Sequence, residues 1–216
     1  DFNNFVLSET MENVFQDPED PRLETFFRPF DNSDSGEFNG LINGIDASQT
    51  SIALADYSRA GTLFRADTSG LDANFSTAWE TNFFLAEAAE RGIITANAQQ
   101  LYEIGVQQAF EFWLTDLPET YLTTGNAAYG NTGNNLSQIL TQKWIANIIN
   151  GYEGWTEWRR TGFPEFMPVD ASLNDGLIPV RMPYPSEEEA LNADNYNEAA
   201  TATNGNSINA EVWWNE

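Results

Sequence analysis

The chain has 216 residues, enough for a domain that buries about 70% of its unfolded surface. It contains neither histidine nor cysteine, which excludes Ser-His-Asp and Cys-His catalysis, thiol redox chemistry, disulfide scaffolding and ordinary zinc sites within it. Thirty-three acidic residues against nine basic ones, with Lys143 the only lysine, give a formal net charge of −24; such a field repels nucleic acid and anionic lipid and leaves neutral or cationic ligands.

No stretch approaches the roughly 18 consecutive apolar residues of a membrane span, and the opening DFNNFVLSET lacks the basic and apolar regions of a signal peptide. The chain starts without methionine, as a processed product or fragment would. Ser8 to Phe15 predicts two helical turns, stopped by DPEDPRL (Asp17 to Leu23), after which TFFRPF (Thr25 to Phe30) reads as extended. Residues 31–72 are rich in Asn, Asp, Ser and Gly with single aromatics between them. That is loop chemistry on a scale longer than an ordinary connector, and long ordered loops carry function.

Within that region DNSDSGEFNG resembles the start of a calcium loop, with Asp31, Ser33, Ser35 and Gly36 at ligand and turn positions. Its twelfth position is Ile42 instead of glutamate, so the EF-hand pattern fails and any calcium binding would be incidental. No cofactor is expected. Phe38, Asn39, Asn43, Tyr57, Phe64 and Arg65 alternate rings with amides and a guanidinium, a pattern that suits a neutral sugar. Rings stack on C–H faces and amides bond hydroxyls; the competing reading of the same residues is ordinary loop anchoring.

Residues 75–160 predict a helical core. In FSTAWETNFFLAEAAERG, Phe75, Trp79, Phe83 and Ala86 fall on one face and Gly92 stands where a C-terminal cap belongs. Ala98, Leu101, Tyr102, Val106, Ala109, Phe110 and Trp113 repeat the period before Pro118, completing an αα-hairpin of tetratricopeptide size. After a Gly/Asn-rich turn (Thr123 to Asn135), one long helix is expected through Leu136, Ile139, Leu140, Trp144, Ile148, Tyr152, Trp155 and Arg159, closed by Gly162 and Pro164. Gly151 and Gly154 inside it cost about 1 kcal/mol each, which suggests that another backbone approaches closely there. Prolines at 168, 179, 183 and 185 predict an irregular tail over residues 163–216 that ends on VWW and wraps the helices.

The segment YEGWTEWRRTG (Tyr152 to Gly162) sorts into faces on a helical wheel: Tyr152, Trp155 and Arg159; Glu153, Glu157 and Arg160; Gly154 and Trp158. Paired carboxylates about 5 Å apart serve retaining glycosidases, so Glu153 and Glu157 define a hydrolase hypothesis. Against it stands a solvated charged face, the default at this spacing. Arg159 is expected to stack on Trp155 and brace the tail as a buried strut. Trp144, Trp155 and Trp158 are expected in the core rather than on a sugar platform.

LAEAAERG (Leu85 to Gly92), QKWIANIINGYEGWTEWRRTGFPEF (Gln142 to Phe166), IPVRMPYPSEEEALNADNYNEA (Ile178 to Ala199), the terminal VWW and the early DPRL, in this order, resemble the closing half of SusD/RagB-type nutrient-binding lipoproteins, in the SusD-like subgroup. The resemblance implies a mainly α fold of tetratricopeptide-related helical pairs with long irregular loops, and a carboxy-terminal portion of a single domain. It implies capture of glycan or peptide on the outer face of a Bacteroidetes-type outer membrane, delivery to a SusC-like TonB-dependent transporter, and no catalysis. The lipid anchor it implies would lie in an amino-terminal part outside these residues. Two other classes stay open: a carboxylate glycosidase using Glu153 and Glu157, and a helical adaptor that binds protein.

Overall fold

The computed structural model describes residues 5–16, 19–45, 51–65, 74–166, 172 and 174–215. The DPEDPRL segment is described only from its third residue; residues 46–50 and 66–72 of the expected loop region and Pro168 of the tail lie outside these ranges.

The amino-terminal portion holds α1 (Glu9–Gln16), α2 (Arg22–Phe26), β1 (Phe27–Arg28), β2 (Arg59–Ala60) and α3 (Thr62–Arg65). Ser8 starts α1, its hydroxyl accepting the Met11 N–H at 3.2 Å, as short polar residues do at helix starts. The proline at 21 begins a helix rather than ending one. Its ring presets a helical φ of −66°, and the Asp20 carboxylate accepts the Arg22 N–H at 3.0 Å. Thr25 and Phe26 are therefore helical, and the expected extended piece shrinks to Phe27 and Arg28. These two pair antiparallel with Ala60 and Arg59. Backbone bonds from Leu7 to Ser58 (2.8 Å), Leu41 to Leu7 (2.8 Å) and Glu9 to Leu41 (2.9 Å) stitch the long loop to the chain start. Gly40 makes that approach feasible, since a Cβ there would sit 2.5 Å from the Glu9 nitrogen.

The helical core follows as α4 (Ala78–Glu90), α5 (Ala98–Phe112), α6 (Asn135–Ala146) and α7 (Gly151–Thr161). Thr77 and Asn97 cap α4 and α5 through the N–H groups of Glu80 and Gln100. Gly92, at φ +71°, ends the first arm of the hairpin as its position predicts. Trp79, Phe83 and Ala86 interlock with Tyr102, Val106 and Ala109, and Gly105 lets the helices close, a Cβ there lying 3.0 Å from the Phe83 ring. Phe75 precedes the cap and is fully exposed, so the apolar face starts at Trp79.

The single long helix is not found. α6 stops at Ala146, and Asn150 accepts the Glu153 N–H at 3.2 Å to start α7 afresh. Asparagine competes with helical hydrogen bonding and favours caps, which is why the periodicity of the stripe does not carry through. Gly151 is consequently the first residue of a helix with open space around it, while a Cβ on Gly154 would lie 3.1 Å from the Trp144 indole nitrogen. The close approach is by a side chain and not by a backbone.

The tail is more regular than its prolines suggest. It contains α8 (Ser186–Leu191) and α9 (Ala193–Ala202) and folds on itself through Arg181, which donates to Asn206 Oδ1 and the Ser207 carbonyl. It is tied to α7 by Trp155, whose indole donates to the Pro179 carbonyl at 2.8 Å, and by Arg159, which donates to the Val180 carbonyl at 3.0 Å. The Arg159 guanidinium lies 3.9 Å from the Trp155 ring and 5.3 Å from that of Trp214. The expected strut is present, but it is half-buried rather than buried.

One fully buried polar knot joins the amino-terminal portion to the core. Arg22 forms a forked pair with Asp20 (2.6 and 3.0 Å), donates to Gln142 Oε1 at 2.7 Å, and lies 4.4 Å over the Phe110 ring. Tyr121 donates to Asp20 at 2.7 Å and accepts from Gln142 at 2.9 Å. Burial opposes the charge on Arg22, but the Asp20 carboxylate outweighs it and holds the guanidinium above its ordinary pKa. Burial also pushes the Tyr121 hydroxyl well up. Arg22→Met leaves the Asp20 charge buried without its cation and is expected to destabilise the fold by about 3–5 kcal/mol, read as a shifted urea midpoint.

Candidate functional site

The six loop residues meet different fates. Phe64 is 8% exposed, its ring packed on Phe26 (6.0 Å) and Trp113 (6.2 Å), so it is a core residue rather than a sugar platform. Phe38 is half-buried against the same cluster. Asn39 spends its amide on the Asp56 carbonyl (2.7 Å) and its backbone N–H on Ser58 (3.0 Å). Tyr57 is half-buried where the Leu54–Asp56 turn ends. Arg65 is exposed at the end of α3. Asn43 lines a cavity. Asp31, the first position of the calcium-like loop, is held by Arg28 and Arg59; the hydrogen bond from Arg28 is the main reason that its carboxyl sits below the usual range.

The cavity at Asn43 has a volume of about 280 Å³ and is assembled from four distant segments. Ser8 and Thr10 come from the start of α1, Asn43 from the turn after the 39–41 pairing, Trp144 and Phe166 from the ends of the α6–α7 pair, and residues 176–179 from the tail. The Phe166 ring is set edge-on to Trp144 at 5.6 Å and stacked on Trp158 at 5.8 Å. A second depression, about 330 Å³, lies at the head of α4 between Trp79, Phe84, Phe112, Glu80, Asn150 and Glu153. Among the described residues the buried indole nitrogen of Trp79 has no acceptor beside it.

The charged face of α7 is solvated only in part, with Arg160 exposed, Glu153 half-buried and Glu157 buried. Glu157 is 3% exposed; Lys143 Nζ lies 2.5 Å from one of its oxygens, and Arg160 pairs with the other. Arg160 then forks onto Glu87 of α4 with two 2.7 Å bonds, and Arg91 donates to the same carboxylate at 2.8 Å. Lys143 also lies 3.6 Å from Glu153 and 3.8 Å over the Phe84 ring. The helix break turns this face inward against α4 and α6, which a continuous wheel could not show. Both Glu157 oxygens are committed to cations, and the pair Glu153 and Glu157 shares Lys143 instead of flanking an open cleft. Spacing alone does not single out Glu87 or Lys143; the one signal in the sequence is a lone lysine between Gln142 and Trp144 in an apolar stripe.

Helical hairpins, long loops pinned to them and a ring-walled cavity whose described lining is uncharged make up a mainly α fold. Residues 1–185 match the SusD-like family described as "Starch-binding associating with outer membrane", and the chain belongs to that family. Among solved structures it is similar to a SusD homologue from Bacteroides vulgatus ATCC 8482 (28% identity, TM-score 0.82, covering 97% of this chain and 49% of that one). It is also similar to a chitin-binding SusD homologue from Flavobacterium johnsoniae (25% identity, TM-score 0.79, 98% and 49%). A SusD-like protein from Bacteroides thetaiotaomicron VPI-5482 aligns too (27% identity, TM-score 0.73, 95% and 49%). The chain thus spans about half the length of these proteins. No curated protein matches it significantly. Among the described residues no helix is long and apolar enough to cross a membrane.

Burial pushes the Glu87 carboxyl up, but the bonds from Arg160 and Arg91 outweigh it, and the net pKa lies below the ordinary 4.5. A depressed folded-state pKa contributes stability that is present above 4.5 and is lost as pH falls through the folded value. The melting temperature of the wild type is therefore expected to fall more steeply below pH 4.5 than that of Glu87→Gln, in a paired thermal-denaturation series.

Proposed function

We propose that this protein captures neutral glycans at the cell surface and presents them to a SusC-like TonB-dependent transporter, held at the outer membrane by a lipid anchor outside these residues. Family membership over residues 1–185 is the observation that carries the reading. A chitin-binding neighbour of the same fold supports the ligand class. The charge balance supports neutrality, because a net charge of −24 disfavours polyanionic glycans at long range.

The protein binds without turning its ligand over. A retaining glycosidase needs one carboxyl that donates a proton and a second that attacks, with the bond to be cut between them. Here Glu157 is sealed between Lys143 and Arg160.

Calorimetric titration of the complete polypeptide with maltoheptaose and chitohexaose is expected to show binding to at least one of them. No reducing ends should be released on prolonged incubation, and Glu153→Gln should leave the affinity unchanged. Sugar release that disappears in Glu153→Gln would sink the non-enzymatic reading, and binding of peptides alone would replace glycan as the ligand.

A further inference from the structure

We propose that the cavity between Trp144, Phe166 and the Asn43 turn is a subsite for one uncharged pyranose ring, and that it discriminates against uronate and sulfated sugars. This rests on the glycan-binding reading above.

Charge makes the first argument. Forty-two residues, 33 acidic and nine basic, are ionisable carboxylates or cations, yet the side chains lining this cavity are Ser, Thr, Asn, Trp, Phe, Leu, Ile and Pro, with glycine between them. Among the described residues none of these carries charge. A carboxylate or sulfate entering it would lose water and gain no counter-ion, which is costly in a largely apolar site. The depression at the head of α4 differs, since Glu80 and Glu153 line it.

Shape and chemistry make the second. Ligand pockets commonly span about 300–1,000 Å³, and about 280 Å³ suits a single ring. Trp144 and Phe166 provide apolar surface for C–H faces, while Ser8, Thr10 and Asn43 form a polar rim. That rim has donors to spare. The Ser8 hydroxyl oxygen accepts from Met11, leaving its proton to donate. Thr10 donates to Asn43 Oδ1 at 3.1 Å, leaving the Asn43 amide nitrogen for a ligand oxygen. Rings together with hydroxyl-seeking donors complement a pyranose, which is apolar on its faces and polar around its edge.

Preorganisation makes the third. The rim is locked by the pairing of Ser8 with Leu41. Trp144 is positioned by the missing Cβ of Gly154, Phe166 by its stack on Trp158, and the tail wall by the Trp155 bond to Pro179. A site whose walls are already fixed loses little freedom when it binds.

The test compares wild type with the double variant Thr10→Ala/Asn43→Ala in calorimetric titrations of the complete polypeptide. Probes are maltoheptaose, chitohexaose and tetragalacturonate. The neutral oligosaccharide that binds wild type is expected to bind the variant about tenfold more weakly or worse, with an unchanged melting temperature, and tetragalacturonate should neither bind nor compete. Equal affinity in variant and wild type would overturn the subsite while leaving glycan binding in place, and so would preferential binding of tetragalacturonate. Failure of all three sugars to bind wild type would overturn the glycan reading itself and this inference with it.

Discussion

The fold depends on a guanidinium buried away from the surface. Arg22 is fully buried, and a buried cation is tolerated only when its partners are in place. Those partners come from the chain next to it (Asp20), from the turn after α5 (Tyr121) and from α6 (Gln142). Meeting that requirement brings the amino-terminal portion onto the α5–α6 pair in one register. Lys143, the next residue of α6, makes the same kind of demand about 100° around the helix, where Glu157 and the Phe84 ring answer it. α6 is thus the hub, with one polar side chain clamping the chain start and its neighbour clamping α7 and α4.

These clamps occupy much of the small stock of cations. Arg28 and Arg59 pin the long loop through Asp31, Arg91 and Arg160 hold Glu87, and Arg159 braces the tail. With these cations committed to internal struts, the proposed recognition is left to neutral groups. At the Trp144–Phe166 cavity the loop, the helices and the tail converge with no charge among the described lining residues. One wall lies next to such a strut, since Trp155 holds Pro179 beside the Arg159 bond to Val180.

The conspicuous tryptophans divide by role rather than by motif. Trp79 and Trp113 are core, the latter donating to the Ala146 carbonyl at 2.9 Å. Trp155 and Trp158 are half-buried braces for the tail and for Phe166. Trp144 does both jobs, packing against the core cluster while forming a cavity wall. Identical indoles serve differently because each environment covers a different part of the ring and satisfies or ignores its N–H.

What the sequence determined by itself is local. Helical period over 78–112, the Gly92 terminator and the stacking of Arg159 on Trp155 are set by neighbours within one or two turns, and they stand as read. The resemblance carried by ordered words along the chain likewise fixed family and fold class. Only tertiary structure decided the rest. A capping asparagine cut the expected long helix between Ala146 and Gly151, and the reoriented α7 buried Glu157. Phe64 went to the core because Phe26 and Trp113, far off in the chain, close over it. The cavity was legible only through Asn43, since its walls come from segments more than a hundred residues apart. Periodicity and spacing report what a residue does to its near neighbours, whereas burial and convergence are properties of contacts that exist only once the chain has folded.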